Sequence, residues 1–287
     1  MVYHVRAGNW LRRLVKTMIM LVILIVVFFA YVWYTEQSAV FAPYRPLDQT
    51  PKDAGLEYEE VALRTADGAS LYGWFVASPR NRATVLLMHG NGGNVSHRIQ
   101  KMRFFHDLGL QVFVFDYRGY GRSTGMPSEK GLYKDAAAAY DYLVTQRGIA
   151  AGKIVLYGES LGSAVAVELA TQRPAAAIIL EGAFTSVTDM ARRVFPLLPT
   201  FVLRYRFNTV GKVAGLKIPL LVIHSRNDEI VPFAMGRRVF DAAGSDAKEM
   251  MAVYGGHNES FYEYHREVLQ KIDCFLEQVQ SGRHDPI

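Results

Sequence analysis

The chain has 287 residues, half of them apolar, and a formal net charge of +5. This length allows one or two domains, and a core supplied with 16 Phe and 16 Tyr excludes disorder as the main state. A single cysteine, Cys274, excludes an intrachain disulfide framework and a cysteine-rich zinc module. The first 35 residues carry four basic residues and no acidic one. The remaining chain is therefore almost neutral, and the positive charge does not predict nucleic-acid binding.

The N-terminal segment predicts a membrane span. Residues 17–34, TMIMLVILIVVFFAYVWY, contain one threonine and otherwise only apolar or aromatic residues. With Lys16 snorkelling at one end, the segment reaches the lower end of the roughly 17–25 residues that cross a bilayer. A signal peptide cleaved after Ala39 or Ala42 is an alternative, although its apolar core is usually only about 7–15 residues long. A buried core helix is a second alternative.

The distribution of charge also predicts an orientation. Four basic residues precede the span, so the positive-inside rule places the N-terminus in the cytoplasm and the large domain on the other side. The expected organisation is a cytoplasmic tail and transmembrane anchor over residues 1–35, a proline-containing linker over 36–55, and one folded domain over 56–287.

Strands and helices alternate along the folded domain. Two strands joined at a turn are predicted first, over 58–65 and 69–77. From residue 83 onward, apolar runs typical of strands buried on both faces are separated by helical stretches. These runs are ATVLLMHG, QVFVFDYRG, KIVLYGES, AAAIILEGA, IPLLVIHSR and EMMAVYG. The alternation predicts an α/β fold with a mostly parallel central sheet and helices on both faces.

The end of the third apolar run carries a candidate nucleophile. Gly158-Glu159-Ser160-Leu161-Gly162 is a G-x-S-x-G pattern between a buried strand and a helix, which is the context that the motif requires. The glycines allow the sharp turn that lifts the serine hydroxyl above the sheet. The N-terminus of the following helix adds backbone donors and a positive dipole end where an oxyanion would form. An ordinary tight turn is the alternative interpretation.

A serine hydroxyl is a poor nucleophile without a base, and two residues at strand ends are suited to activate Ser160. His257, in YGGHNES, follows the last predicted strand, and Asp228, in HSRNDEIVP, follows the preceding one. Both therefore lie at the same edge of the sheet as Ser160, in the chain order serine, acid, histidine. A surface histidine is the alternative for His257. Other candidates for the two positions are His224, His265, Glu229, Asp241 and Asp246.

Two backbone N–H groups are predicted to form an oxyanion hole. One belongs to Leu161, directly after the candidate nucleophile, and the other to Asn91 in the glycine-rich loop HGNGGN after the first buried strand. This loop lacks the Gly-Lys-Ser/Thr ending of a phosphate-binding loop, and the glycines of RGYGRSTG miss the dinucleotide-binding spacing. No cluster with metal-ligand spacing appears, so neither a metal nor an organic cofactor is expected.

Five segments in this order resemble the α/β-hydrolase superfamily over about residues 56–280: HGNGGN, DYRGYGRSTGMPSEKGLYKDA, YGESLGSAVAVELA, HSRNDEIVP and GGHN. More narrowly, the chain resembles a membrane-anchored branch of small serine hydrolases with a single N-terminal span, some of which are protein depalmitoylases. The resemblance implies the α/β-hydrolase fold over residues 56–287. It also implies a triad of Ser160, Asp228 and His257, with Asn91 and Leu161 at the oxyanion hole.

Residues 183–217, after the fourth parallel strand, occupy the place where such folds carry a lid, here a minimal cap. The segment combines large apolar residues with six basic residues and a single acid, Asp189. This composition predicts contact with anionic lipid headgroups. The alternative is a solvated lid whose apolar residues cover the core. The basic residues are Arg192, Arg193, Arg204, Arg206, Lys212 and Lys217.

The leading hypothesis is a serine hydrolase that cleaves an ester, thioester or related acyl bond through an acyl-enzyme, on a substrate that can be lipid-like. A serine peptidase acting on small peptides is one alternative. A non-catalytic, membrane-anchored scaffold is another alternative. The candidate serine, aspartate, histidine and oxyanion loop argue against it, because a scaffold does not need all four.

Overall fold

A single long helix, α1 (Ala7–Val40), begins the part of the chain that the computed structural model describes, residues 7–282. Its 34 residues span about 50 Å at a rise of about 1.5 Å per residue. The large apolar side chains from Trp10 to Val27 are exposed, which argues against a buried core helix. The helix has the length and composition to cross a membrane. The first six residues of the predicted tail lie outside the described residues.

Between α1 and residue 282, the end of the described chain, there are ten strands. They are β1 (Ala42–Pro43), β2 (Glu59–Arg64), β3 (Ser70–Val76), β4 (Thr84–Met88), β5 (Gly92–Gly93), β6 (Gln111–Phe115), β7 (Ile154–Glu159), β8 (Ala177–Glu181), β9 (Leu220–Ser225) and β10 (Lys248–Val253). Eight of them form one sheet in the order β10-β9-β8-β7-β4-β6-β3-β2, and β1 pairs separately with β5. The six strands from β10 to β6 are parallel, and β2 and β3 form an antiparallel hairpin at one edge. The predicted mostly parallel sheet is confirmed.

Helices cover both faces of this sheet, as predicted. They are α2 (Ile99–Asp107), α3 (Glu129–Thr145), α4 (Leu161–Gln172), α5 (Val187–Val194), α6 (Thr209–Val213), α7 (Phe233–Ala242), α8 (Ser260–Glu263) and α9 (His265–Ser281). One apolar layer joins the sheet to α3, α4, α6 and α7, and a second joins it to α2 and α9. Because both faces are covered, β4 and β8 are buried along their whole length. The predicted site residues lie at the edge of the sheet where the parallel strands have their C-terminal ends.

Residues 36–55 differ from the expected linker, because they pack on the folded domain. The helix continues to Val40, and Phe41 is 3% exposed with its ring 5.0 Å from that of Tyr205. Strand β1 then pairs with β5, inside the glycine-rich loop that follows β4. The contacts join segments far apart in the sequence, so local periodicity gives no sign of them. This segment is a structural part of the domain.

The C-terminal end of α1 is fixed to residues 183–217, hereafter the lid, through Glu36. Its carboxylate, buried at 6% exposure, accepts hydrogen bonds from the backbone N–H groups of Arg204 and Tyr205, at 3.0 and 2.8 Å. The Arg204 side chain donates to the Trp33 carbonyl at 2.8 Å, and the Trp33 indole donates to the Val202 carbonyl at 3.3 Å. These bonds satisfy polar groups that would otherwise be buried without partners. They hold the helix and the lid together.

Replacing Glu36 by Ala should release the lid from α1. Losing a buried acceptor costs about 1–3 kcal/mol, so the amides of Arg204 and Tyr205 should exchange with deuterium about tenfold faster or more. Hydrogen exchange with mass spectrometry on the full chain measures this. The control is Glu57→Ala, at an exposed glutamate in the same region of the chain. Equal protection of residues 203–206 in both variants would contradict the assignment.

Candidate active site

Ser160 is the single residue between β7 and α4, and its backbone is strained. It has φ +51° and ψ −112°, a conformation that residues with a side chain rarely adopt. The turn also requires two close backbone approaches. A Cβ at Gly158 would lie 2.4 Å from the Gly162 carbonyl oxygen, and one at Gly162 would lie 1.9 Å from the Met88 carbonyl oxygen. Only glycine fits at these two positions, as the motif predicts.

The structure brings the three predicted catalytic side chains into one hydrogen-bonded chain. The Oγ of Ser160 lies 3.0 Å from Nε2 of His257, and Nδ1 of the same ring lies 2.6 Å from Oδ2 of Asp228. The other carboxylate oxygen of Asp228 accepts from the backbone N–H groups of Ile230 and Val231, at 3.0 and 2.7 Å. The acid is thus held by its own loop and oriented towards the histidine. The arrangement is that of a nucleophile, a base and an orienting acid.

The pKa values of His257 and Asp228 are shifted in opposite directions. Burial lowers the pKa of His257, but the hydrogen bond and the charge of Asp228 outweigh it, so the pKa is raised above its usual value. Burial raises the pKa of Asp228, but the hydrogen bond from His257 and its charge outweigh this, so the pKa is lowered. An acid that remains ionised stabilises the imidazolium that forms when the ring takes a proton.

Four of the five other candidates have different partners. Glu229 accepts a hydrogen bond from the backbone N–H of His257 at 3.0 Å, so it positions the loop rather than the ring. Asp241 is paired on the surface with Arg237. Nε2 of His224 lies 2.8 Å from the Val231 carbonyl oxygen, and burial lowers the pKa of this histidine. His265, the first residue of α9, stacks on Phe104 of α2.

Asn91 and Leu161 line the same cavity as Ser160 and His257. Leu161 is the first residue of α4, so its N–H has no acceptor within the helix. The Asn91 carbonyl accepts from the Ala42 N–H at 3.2 Å and from the Tyr120 hydroxyl at 2.9 Å. The loop after β4 is therefore held from the segment that follows α1. Both residues line the cavity beside Ser160, and the oxyanion hole formed by their N–H groups stays a prediction.

Gly182 has a role that sequence reasoning missed. It follows β8 with φ +59°, and a Cβ there would lie 2.9 Å from Cε1 of His257. Glycine at this position gives the imidazole ring room to approach Ser160. The available signal was the glycine directly after the fourth parallel strand, at the same sheet edge as the nucleophile.

A buried charge network under the nucleophile was also missed. Nζ of Lys101, 1% exposed, lies 2.6 Å from Oε2 of Glu181 and 3.2 Å from Oε2 of Glu159, and Nε of Arg98 lies 3.0 Å from the same Glu159 oxygen. Burial raises the pKa of Glu159, but Arg98 and Lys101 outweigh it and lower the pKa to about 2. Arg98 also donates to the Gly92 carbonyl at 3.2 Å, which ties the nucleophile turn to the loop after β4. Charged residues in a helix are usually exposed, so nothing in the local sequence indicates this network.

The candidate site opens into a large cavity of about 1070 Å³. This exceeds the roughly 300–1,000 Å³ of most small-molecule sites. Its walls come from α1, the lid and the loop after β4. Within residues 7–282, no group of three or more His, Cys, Asp or Glu side chains is arranged to hold a metal ion.

Comparisons with known proteins agree with this fold. The family models described as serine aminopeptidase, S33, and as TAP-like protein match residues 79–212 and 205–285. Protein bem46 of Schizosaccharomyces pombe is 39% identical over 210 residues, 70% of each chain. The α/β-hydrolase domain-containing protein WAV2 of Arabidopsis thaliana is 36% identical over 221 residues, 69% of this chain and 72% of the other.

A solved structure supports the fold alone. An esterase from Pyrococcus furiosus is similar with a TM-score of 0.70 and 21% identity, over 83% of this chain and 97% of its own. The fold, the family models and the relatives together define a hydrolase. The chain belongs to the α/β-hydrolase superfamily, which confirms the resemblance inferred from its motifs.

Replacing Asp228 by Asn should lower the pKa of His257. The substitution removes the charge that raises this pKa and leaves the burial that lowers it. The wild-type ring should titrate above the usual value of about 6.5, and the variant ring below it. NMR titration of labelled histidine side chains measures both values, with His257→Gln to assign the signal and Asp241→Asn as the surface control. An unchanged His257 titration in Asp228→Asn would contradict the coupling.

Proposed function

We propose that the protein is a serine hydrolase that cleaves an ester or thioester acyl bond through a covalent acyl-enzyme. The observation that carries this proposal is the continuous hydrogen-bonded chain from Ser160 through His257 to Asp228, at a strained strand-to-helix turn. A buried histidine and aspartate on separate loops, converging on a strained serine, match the requirements of nucleophilic catalysis.

In the first half of the proposed reaction, Oγ of Ser160 forms a bond to the substrate carbonyl carbon while Nε2 of His257 takes the hydroxyl proton. The backbone N–H groups of Asn91 and Leu161 stabilise the resulting oxyanion. The tetrahedral intermediate collapses, the bond to the leaving group breaks, and His257 returns the proton to the departing alcohol or thiol. Asp228 stays ionised and keeps Nδ1 of the ring protonated.

In the second half, water attacks the acyl-enzyme. His257 accepts the water proton as the new carbon–oxygen bond forms, and then returns it to Oγ of Ser160 as the acyl bond breaks. The products are a carboxylic acid and the free serine. Because His257 must begin each half-reaction as the neutral base, the raised pKa of this residue places the working range on its alkaline side.

A peptidase is the second candidate, because one matching family model is described as a serine aminopeptidase. An aminopeptidase has to bind the protonated amino end of a peptide, which calls for an available carboxylate. Among the described residues, four carboxylates line the cavity, and each has a partner. Glu159 and Glu181 face Lys101, and Glu36 accepts from the lid backbone. The exposed Asp48 accepts from the Tyr44 hydroxyl at 3.2 Å and lies 3.2 Å from Nε2 of His97. This favours a neutral acyl ester or thioester as the substrate.

We also propose that α1 anchors the protein in a membrane, with the N-terminus in the cytoplasm and the catalytic domain on the other side. The exposed apolar surface from Trp10 to Val27 supports the span, and the preceding basic residues support the orientation. The contacts of Trp33 and Glu36 with the lid support retention of the helix over its cleavage as a signal peptide.

The apolar residues of the lid are stronger evidence for membrane contact than its basic residues. Three of its cations are engaged within the protein, because Arg192 pairs with Asp189, Arg204 with Glu36 and Lys212 with Glu168. The predicted headgroup contact therefore has fewer available charges than the composition indicated. The large apolar side chains that the lid exposes are Val194, Phe195, Leu197 and Phe201. Val194 and Phe195 also line the cavity, so we propose that Leu197 and Phe201 face the lipid beside α1.

A fluorophosphonate probe should label the full-length wild type but not Ser160→Ala, because only an activated serine attacks phosphorus. Hydrolysis of p-nitrophenyl esters should fall by about 10³-fold or more in the variant. Ser281→Ala, at an exposed serine near the end of α9, is the matched control and should keep both activities. Folded wild type that neither labels nor hydrolyses any ester would overturn the proposal and favour the scaffold. Cleavage of peptides in preference to esters would favour the peptidase.

A further inference from the structure

One face of α1 lines the same cavity as Ser160. The positions include Phe28, Tyr31, Val32, Thr35 and Ala39, which are spaced by three and four residues and so share one side of the helix. From Phe28 to Ala39 the helix rises about 16 Å at about 1.5 Å per residue. The cavity therefore extends along the helix for several turns, from the catalytic residues into the apolar part of α1.

The lid supplies further wall residues. Val194, Phe195 and Leu198 also line the cavity, and so does Leu203, which directly precedes the Arg204 amide that donates to Glu36. At one end of the space lie the polar side chains of Ser160 and His257. At the other end lie Phe28 and Tyr31, which are 47% and 68% exposed and belong to the predicted membrane span. The space thus changes from polar to apolar in the direction of the bilayer.

We propose that α1 forms one wall of the substrate site, and that the cavity holds the long acyl chain of a membrane-resident ester or thioester, admitted sideways from the bilayer between α1 and the lid. This inference rests on the proposed hydrolase function. An acyl chain that slides along the helix exchanges one apolar environment for another, so it need not cross water to bring its carbonyl group to Ser160. A short acyl group would leave most of this space unfilled.

The contacts at the end of α1 fix the depth of this site. The hydrogen bonds that Glu36 accepts from the lid, and the one that Trp33 donates to it, set how far the helix stands from the sheet edge. The next residues pair with the loop that carries Asn91, since the Ala42 N–H donates to the Asn91 carbonyl at 3.2 Å. The distance from the carbonyl position to the apolar end is therefore set by packed protein. This makes the helix a determinant of acyl-chain length as well as an anchor.

Two hydroxyl residues of α1 provide a matched pair of substitutions. Thr35 and Ser38 each donate to the carbonyl four residues earlier, at 2.9 and 3.0 Å. Thr35 lines the cavity, whereas Ser38 is exposed outside it. Trp at Thr35 should fill the space, and Trp at Ser38 should not. Both variants are compared with wild type as full chains in phospholipid nanodiscs, with active sites counted by fluorophosphonate titration.

The measured quantity is kcat/KM per active site for p-nitrophenyl esters from acetate to palmitate. In Thr35→Trp the ratio of palmitate to acetate should fall about tenfold or more, and in Ser38→Trp it should stay within about twofold of wild type. An unchanged palmitate-to-acetate ratio in Thr35→Trp would overturn the inference about α1. If the wild type is still labelled at Ser160, the hydrolase proposal stays in place. An equal fall in both variants would also overturn the inference about α1. Wild type without labelling or ester hydrolysis would remove the hydrolase proposal and this inference together.

A second pair of substrates distinguishes an ester from a thioester as the source of the acyl chain. Monopalmitoylglycerol and a palmitoyl-cysteine peptide present the same chain as an ester and as a thioester. Thr35→Trp should lower kcat/KM for whichever of these substrates the wild type cleaves, because the acyl chain lies against α1 in both cases. A wild-type substrate of this length that is cleaved without this decrease would contradict the assignment of the wall to α1.

Discussion

The close approach of α4 to β4 at the nucleophile turn is the constraint on which the site depends. With no side chain at Gly158 or Gly162, the first turn of α4 packs directly on the backbone at the end of β4. Ser160 is then held by its own N–H, which donates to the Glu181 carbonyl at 2.8 Å. That bond fixes the serine against β8, and Gly182 directly after β8 leaves the space that His257 occupies. Strain at one residue is maintained by the packing of three strands and a helix.

Charge balance under this turn supports the same geometry. Glu159 and Glu181 end adjacent parallel strands, so their carboxylates lie close together. Lys101 and Arg98 from the α2 side of the sheet neutralise them. Removing one partner from such a buried set leaves an uncompensated charge, which is far more destabilising than the loss of an exposed ion pair. The network therefore connects the nucleophile turn, the following strand and the loop that carries Asn91.

The convergence of the Ser160, Asp228 and His257 side chains could be predicted from the sequence, because each residue follows a strand of the parallel sheet and the C-terminal ends of parallel strands meet at one edge. All three could be placed by that local pattern alone. The contacts of Glu36 could not, since its partners Arg204 and Tyr205 are 168 and 169 residues away in the sequence. For the same reason residues 36–55, which lack periodicity, resembled a linker. Lys101 was missed because burial of a lysine depends on carboxylates from two other elements.

The structure joins two tasks in one helix: α1 has the composition of a membrane span, and its C-terminal third is a wall of the cavity that contains Ser160. The most direct test of that connection is a photocrosslinking measurement. A long-chain alkyl phosphonate with a diazirine at its far end is reacted with Ser160 in the full chain in nanodiscs, irradiated and mapped by mass spectrometry. Our account predicts crosslinks to α1 between Phe28 and Thr35, absent in Ser160→Ala. Crosslinks confined to segments outside α1 would contradict it.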